Sequence, residues 1–398
     1  AARAQPVRRD LALLRNTEDT LEAARSEAYF RARLQQVTDL LAELVSIDSP
    51  SGDGAALGRA AVWLAGKLEA CGASFEEIGG GVPHLRAVVP GRQPELKPLL
   101  LVGHFDTVWP LGEATRRPPS IEGGRMTGPG VYDMKAGLAL GIWVLDALQA
   151  QGIRPRRPVV FFMNADEELG SPGSRPLIER EARAAEAALI LEPSTAPDMI
   201  RLRRKGTGIF EVRITGRAAH AGADPSAGVS AISELARQIM VLDSLNDPAT
   251  GTTVNVGTVK GGTRRNVVAA EAEALIDLRF VEPAAGDRAE KAIFSLAPQL
   301  KGARVEVQGG INRPAMAPGP ETLELYDRAV KIAGELGFEL REELGGGASD
   351  GNFTSATGCP TLCGLGGVGG GAHALDEHIV VEWLPRKAAL LMQLLLRS

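Results

Sequence analysis

The sequence predicts a three-layer α/β domain interrupted by a smaller ferredoxin-like α+β domain. Three observations carry that expectation. Short, wholly apolar runs at 99–102 (LLLV), 159–163 (VVFFM) and 187–191 (AALIL) alternate with helical stretches, as strands buried on both faces do. After residue 205 these runs give way to in–out alternation, as in 209–215 (IFEVRIT), the mark of strands with one open face. The order beyond that point reads β-α-β-β-α-β, the ferredoxin-like signature.

Taken along the chain, residues 1–27 are polar and rich in Ala, Arg and Glu. An amphipathic helix follows, with Phe30, Leu34, Val37, Leu41, Leu44 and Val45 at three-to-four spacing. The turn Ser49-Pro50-Ser51-Gly52 ends it. Helices are expected at 55–71 and 134–151, the second lying between the first two apolar strands. The insertion should hold strands at 252–259, 267–280 and 303–307 and helices at 229–245 and 287–300. After Asn312 come a helix (323–337), a strand (361–365), a glycine-rich loop (364–371) and a last helix (385–397). The chain is therefore read as a discontinuous α/β domain, 1–204 with 313–398, carrying an inserted domain at 205–312.

Composition sets limits on function. The 398 residues carry a net charge of −5, with 44% hydrophobic and 23% charged residues, which is ordinary globular usage. A mildly acidic chain offers no basic field for phosphates, so no nucleic-acid partner is expected. No run approaches the roughly 18 apolar residues of a membrane span, and no membrane association is expected. The opening AARAQPVRRD has no apolar core, so no intact signal peptide is read in it, and the compartment stays open between cytoplasm and periplasm. Cys71, Cys359 and Cys363 make neither a disulfide framework nor a CxxC pair. They read as small buried hydrophobes, and any metal must be held by His and carboxylates.

The chemistry-bearing residues gather at strand ends and in glycine turns. His104 and Asp106 follow the LLLV strand, two residues apart on one face, as a metal-binding imidazole and the carboxylate that steadies it would be. An isolated HxD could equally be a structural hydrogen bond. The turn Gly128-Pro129-Gly130 presents Asp133 ahead of a helix; Asp is also a common N-cap. Asp166-Glu167-Glu168 follows the VVFFM strand, where adjacent acids are costly unless solvent or a cation neutralises them. One Glu there would bind metal while its neighbour acts as general base. Glu192 ends the AALIL strand, and His373 follows the glycine-rich loop. Two His and three carboxylates suit two metal ions sharing a bridging carboxylate, placed at the sheet edge where α/β ligand sites lie. His84 and His378 fit no ligand pattern and read as structural.

The stretches HFDTV, GPGVYDMKAG, DEELGS, LEPS, RKGTGIFEVRITGRAAHAG, GGTRRNVV, DLRF, GGASDG and GAH occur in this order. Together they resemble the dizinc metallopeptidase family of glutamate carboxypeptidase, acetylornithine deacetylase, succinyl-diaminopimelate desuccinylase and aminoacylase, and most nearly its bacterial glutamate carboxypeptidase branch. The resemblance spans residue 30 onward. It implies a zinc-peptidase catalytic domain with two zinc ions per subunit. Asp133 would bridge, His104 and Glu192 would hold one ion, and Glu168 and His373 the other. Glu167 would be the general base and Asp106 the carboxylate orienting His104. The inserted domain would be a dimerisation lid, giving a homodimer. From it His220 would reach the partner's site, with Asn266 and Arg279 on the substrate and Arg313 and Lys205 as further carboxylate-gripping candidates. The implied activity is release of a C-terminal amino acid, foremost glutamate, from an N-acyl or peptide substrate. The alternative is an N-acyl-amino-acid deacylase of the acetylornithine deacetylase type. The cationic lid candidates, joined by Arg264 and Arg265, favour an acidic side chain. A binding protein that has lost catalysis is disfavoured because Glu167 and all five ligands are present.

Overall fold

The computed structural model describes the backbone of residues 6–79 and 81–398, with side chains from Asp19 onward. The chain divides into two compact units. One joins the segment ending at Leu202 to Pro318–Glu343 and Ser349–Ser398; the other is Arg203–Ala317 with a short return, Leu344–Ala348. The second unit thus extends slightly beyond the 205 and 312 limits expected from sequence. Arg204 and Met316 exchange two backbone hydrogen bonds (3.2 and 3.0 Å) that tie its ends together.

The first unit is built on an eight-stranded mixed sheet. At its centre Leu99–His104 runs parallel to Val159–Asn164 on one side and to Ala187–Ile190 on the other, and Thr361–Cys363 continues the parallel set. Alternate side chains are buried on both faces, which is why these strands read as unbroken apolar runs. Leu99, Leu101, Val159, Phe161 and Leu189 join the core shared with helices Ala136–Ala150 and Leu384–Leu396. Leu100, Val102, Val160, Phe162 and Ile190 are equally buried but lie outside that cluster, on the opposite face. The three-layer architecture follows from that double burial.

The edges are antiparallel and were not read from sequence. Ser74–Ile78 and His84–Val89 form a hairpin on Val159–Asn164, and Met199–Arg204 pairs antiparallel with Thr361–Cys363. Ser74–Ile78 carries two glutamates and is mostly exposed, so it shows no apolar run. The single helix expected around Phe30–Val45 is two, Pro6–Arg31 and Leu34–Val45. A tighter closure, Arg33 N–H to Phe30 O, breaks the axis between them. Much of the polar opening stretch is therefore helical, residues 1–5 lying outside the described residues. Its helix is tied to the last one where Gln393 Nε2 donates to Ser26 Oγ at 2.8 Å. A small separate sheet joins Gly369–Gly370, His378–Val380, Arg125–Thr127 and Ser120–Glu122.

The second unit is an antiparallel four-stranded sheet in the order Thr253–Gly261, Glu271–Phe280, Gly206–Thr215, Arg304–Arg313. Helices Ala231–Asp243 and Pro283–Phe294 pack on it around Phe210, Val212, Leu235, Ile276, Leu278 and Ile293. The second helix starts earlier than expected because Pro283 is pre-set for a first turn. The strand expected from 267 begins at Glu271. Residues 262–270 instead form a turn in which Val268 N–H donates to Ala219 O and Val267 bridges His220.

Candidate active site

The parallel strands deliver His104, the 166–168 acids and Glu192 to one sheet edge. The register sets His104 opposite Asn164 and Val102 opposite Ile190. His104 is buried, with Nδ1 held 3.0 Å from the Asp106 carbonyl and 3.4 Å from its carboxylate. Nε2 is thereby aimed outward. Asp106 does more than steady this ring. Its fully buried carboxylate also accepts from Ser51 Oγ (2.8 Å), Glu167 N–H (3.1 Å) and Glu168 N–H (3.2 Å). One side chain thus anchors both the His104 strand and the turn that carries the adjacent glutamates.

That turn, Glu167–Leu169, is a single 3₁₀ turn after Asp166. Asp166 is withdrawn from the site. Its carboxylate accepts from Gly173 N–H, Ser174 N–H and Ser174 Oγ, which satisfies a buried charge and leaves Glu167 and Glu168 as the forward acids. His84, buried behind them, accepts from Ala165 N–H at Nδ1, a structural role. His378 is likewise tied locally, its Nδ1 to Asp376 O at 2.8 Å. The three cysteines are free and buried.

Glu192 follows Ala187–Ile190, and its backbone is placed by close packing. A Cβ on Gly137 would stand 1.9 Å from Leu191 O, and one on Gly366 would stand 2.1 Å from the same atom. Only glycine permits that approach from either side. His373 leaves the glycine-rich loop with φ of 62°, a left-handed conformation uncommon outside glycine.

These placements converge on Asp133. Its Oδ1 lies 3.2 Å from His104 Nε2, and its Oδ2 lies 3.5 Å from His373 Nε2. Glu192 Oε1 is 3.8 Å from His104 Nε2, and Glu168 Oε1 is 3.3 Å from His373 Nε2. The structure therefore shows two His–carboxylate triads sharing one aspartate. Ligands about 2.0–2.1 Å from a tetrahedral ion lie about 3.3–3.4 Å apart, and these separations bracket that spacing. Glu168 Oε1 is buried and faces the His373 ring, as a ligand atom would. Ligand atoms of His104, Asp133 and Glu168 all fall within 4.8 Å of one another. The residues present fit a metal centre of nitrogen and oxygen donors.

The electrostatics agree. Burial disfavours a charged His104 ring, yet its hydrogen bonds to Asp106 and Asp133, with the nearby Glu167 charge, hold it well above the ordinary histidine range. Hydrogen bonds to Asp133 and Glu168 raise His373 to about 10. Burial pushes Asp133 up, but the two imidazoles prevail and hold it far below the carboxylate range. The carboxylates draw positive charge to this point from whatever can supply it.

The remaining expected site residues belong to the second unit. His220 Nδ1 accepts from Gly222 N–H (3.1 Å) and Ala223 N–H (3.0 Å), which assigns the ring proton to Nε2. Ala221 N–H donates to Asn266 O, so His220 and Asn266 are neighbours. Arg279 and Arg313 both stand opposite Thr207 on the strands flanking it. Directly opposed residues share a sheet face, and Lys205 lies just before the strand that carries Thr207. Arg279 is bidentate to Asp277 (2.7 and 2.8 Å), and Lys205 Nζ donates to Gly251 O.

Sequence reasoning missed Ser51, which stood in a turn read only as a helix stop.

Comparison with known proteins accords with this geometry. The chain matches Peptidase family M20/M25/M40 over residues 100–397. It is 31% identical over 388 residues to carboxypeptidase G2 of Pseudomonas sp. (strain RS-16), covering 94% of this chain and 93% of that protein. It is 28% identical over 341 residues to succinyl-diaminopimelate desuccinylase of Burkholderia multivorans, covering 80% and 88%. Among solved structures, aminopeptidase PepT of Bacillus cereus superposes with a TM-score of 0.77 at 25% identity, covering 91% of this chain and 98% of that one. A metallo-carboxypeptidase of Sulfolobus solfataricus shares the fold, with a TM-score of 0.72 at 18% identity and coverage of 90% and 98%. On the span of that match and the near end-to-end relative, this chain belongs to peptidase family M20/M25/M40, an enzyme family of metal-dependent peptidases and amidohydrolases.

Proposed function

We propose that this enzyme is a dizinc carboxypeptidase that releases a C-terminal amino acid, glutamate foremost, from N-acyl or peptide substrates. The observation that carries the reading is the pair of triads sharing Asp133, with Glu167 beside them. His104 and Glu192 would hold one ion, His373 and Glu168 the other, and Asp133 both. Bound there, the ions would acidify water and polarise the scissile carbonyl.

The chain's own residues supply the rest. Glu167 takes the proton of the attacking water and returns it to the leaving amine. Asp106 holds Glu167 in place through its backbone N–H. His220 presents an Nε2–H donor, the form needed to bind a developing oxyanion, and we assign it to the partner subunit's substrate in a homodimer formed through the second unit. Exposed Ile232, Met240 and Val241 on helix Ala231–Asp243 support an interface there.

The glutamate preference rests on Arg279 and Arg313 sharing one sheet face around Thr207, with Lys205 just before that strand. Arginine binds carboxylates bidentately, as Arg279 does with Asp277; a substrate carboxylate would replace that partner, and Asn266 would hydrogen-bond the substrate beside His220. The test is amino-acid release from matched N-acyl glutamate, aspartate, alanine and ornithine, with chelator and after zinc return. Glutamate preference that chelator abolishes and zinc restores is expected. Preference for the ornithine derivative would overturn the specificity and favour the deacylase alternative; turnover indifferent to chelator would overturn the metal mechanism.

A further inference from the structure

We propose that Glu377 is a positioning residue of the metal centre, holding the turn before Asp133 so that each aspartate oxygen faces its own imidazole before any ion arrives. The inference rests on the metal-centre reading above and concerns a side chain to which that reading gives no part.

Glu377 is fully buried. Its Oε2 accepts from Gly130 N–H (2.9 Å) and Trp109 Nε1–H (2.8 Å). Its Oε1 accepts from Tyr132 N–H and Asp133 N–H, both at 3.0 Å. Four N–H groups converge on two oxygens. A carboxylate is the side chain that meets four donors without offering one of its own. Three of the four are consecutive-turn amides of the segment that ends in Asp133, so the carboxylate sets the direction of that backbone. Gly130, at φ of 72°, lets the amides turn to one side.

Glu377 also shares its turn with a ligand. Ala374 N–H donates to Gly371 O and Glu377 N–H to Ala374 O, so His373 and Glu377 ride on one compact piece of chain. Gly371 has φ of 77° and would bring a Cβ within 2.9 Å of the Glu377 backbone. That piece is strapped from outside. Arg117 Nη1 donates to Leu375 O at 3.1 Å, while its guanidinium lies 4.0 Å from the Trp109 ring centroid. The spacing of His373 from Asp133 is thus carried through Glu377 and does not depend on an ion drawing the two together. Pre-set ligands bind metal more tightly, and loss of such an outer partner typically costs about 10–100-fold in affinity.

The test is titration of the chelator-stripped full chain with Co²⁺, followed by calorimetry and by the visible absorption of the bound ion, alongside urea unfolding of the metal-free protein. Glu377→Gln keeps the volume but points an N–H at N–H donors. It should weaken Co²⁺ binding about 10–100-fold and shift the visible band in protein that is still folded. Trp109→Phe removes one of the four donors and should weaken binding by a few-fold. A merely structural Glu377 would lower the urea midpoint yet leave the affinity and band of the folded protein at wild-type values, and that result overturns the proposal. If Glu377→Gln does not fold, Trp109→Phe decides: wild-type Co²⁺ affinity in that variant refutes the positioning role. A wild-type chain that takes up no Co²⁺ would instead overturn the metal-centre reading, and this inference with it.

Discussion

Replacing Asp106 by asparagine removes one acceptor oxygen from a carboxylate that serves four partners. The amide oxygen can keep Glu167 N–H at the Oδ1 position. The new amino group then faces Glu168 N–H and Ser51 Oγ. The Ser51 hydroxyl can rotate and accept; the Glu168 amide cannot. A buried donor left without its acceptor costs about 1–3 kcal/mol, and turning the Glu167 bond from charged to neutral loses about 1 kcal/mol more. The metal-free protein should therefore lose about 2–4 kcal/mol in urea unfolding. The missing charge beside His104 and the loosened glutamate turn should together weaken metal binding by about 10–100-fold. Calorimetric titration with Zn²⁺ and unfolding of the stripped protein measure the two effects separately. Asp106→Asn with metal-free stability within about 0.5 kcal/mol of wild type and unchanged Zn²⁺ affinity would refute the claim that Asp106 joins the two halves of the site.

Glu167→Gln should retain its full metal complement, because Glu168 is the neighbour in the triad, while turnover falls by about 10²–10⁴-fold; metal analysis beside kcat checks it, and near-normal kcat would remove Glu167 from the base role. His220→Ala should lower kcat and leave metal content unchanged, and mixed dimers of His220→Ala with Glu167→Gln should recover activity if the histidine serves the partner; loss of metal on His220→Ala would overturn its assignment. Lys387 is buried with its amine on Gly364 O, and burial, aided by the Arg201 charge, pulls its pKa down to about 7. Between that value and the roughly 10.4 of an unfolded lysine, the unfolded chain holds the extra proton, so stability rises with pH across this window by up to about 1.4 kcal/mol per unit. Lys387→Met should flatten the rise in urea midpoint between pH 7 and pH 10, and an unchanged slope would exclude the residue as its source.

The residues proposed as metal ligands stand out in sequence because each sits at a position that backbone geometry dictates: His104 and Glu192 at the ends of apolar strands, Asp133 and His373 at glycine turns. Their meaning came from convergence, since each motif alone had an ordinary structural explanation. Asp166 shows the limit of such reading. It stood with Glu167 and Glu168 as one of three adjacent acids, and only the Gly173–Ser174 amides reveal that it faces away. Ser51 and Glu377 were out of reach because their partners lie 55 and more than 240 residues away in sequence. The antiparallel edge strands were missed for a related reason: Ser74–Ile78 is exposed and charged, and its strand character comes from its register with His84–Val89. The break between Pro6–Arg31 and Leu34–Val45 leaves the apolar spacing nearly intact, so periodicity passes over it.

The two glycines that flank the Leu191 carbonyl make the position of Glu192 a matter of clearance. No hydrogen bond sets that carbonyl against Gly137; two backbones meet with no side chain between them. A methyl group on Gly137 would sit 1.9 Å from the oxygen where ordinary contact begins at 3.4 Å, a shortfall of about 1.5 Å. Helix or strand must yield by most of that distance, and Glu192 is the next residue along. Displacements of about 1 Å at reacting groups can cost 10²-fold in rate. The smallest possible enlargement of the hydrophobic interior, a single methyl group on Gly137, would therefore reach the proposed metal centre through Glu192. Part of the specification of this site is written as atoms left out.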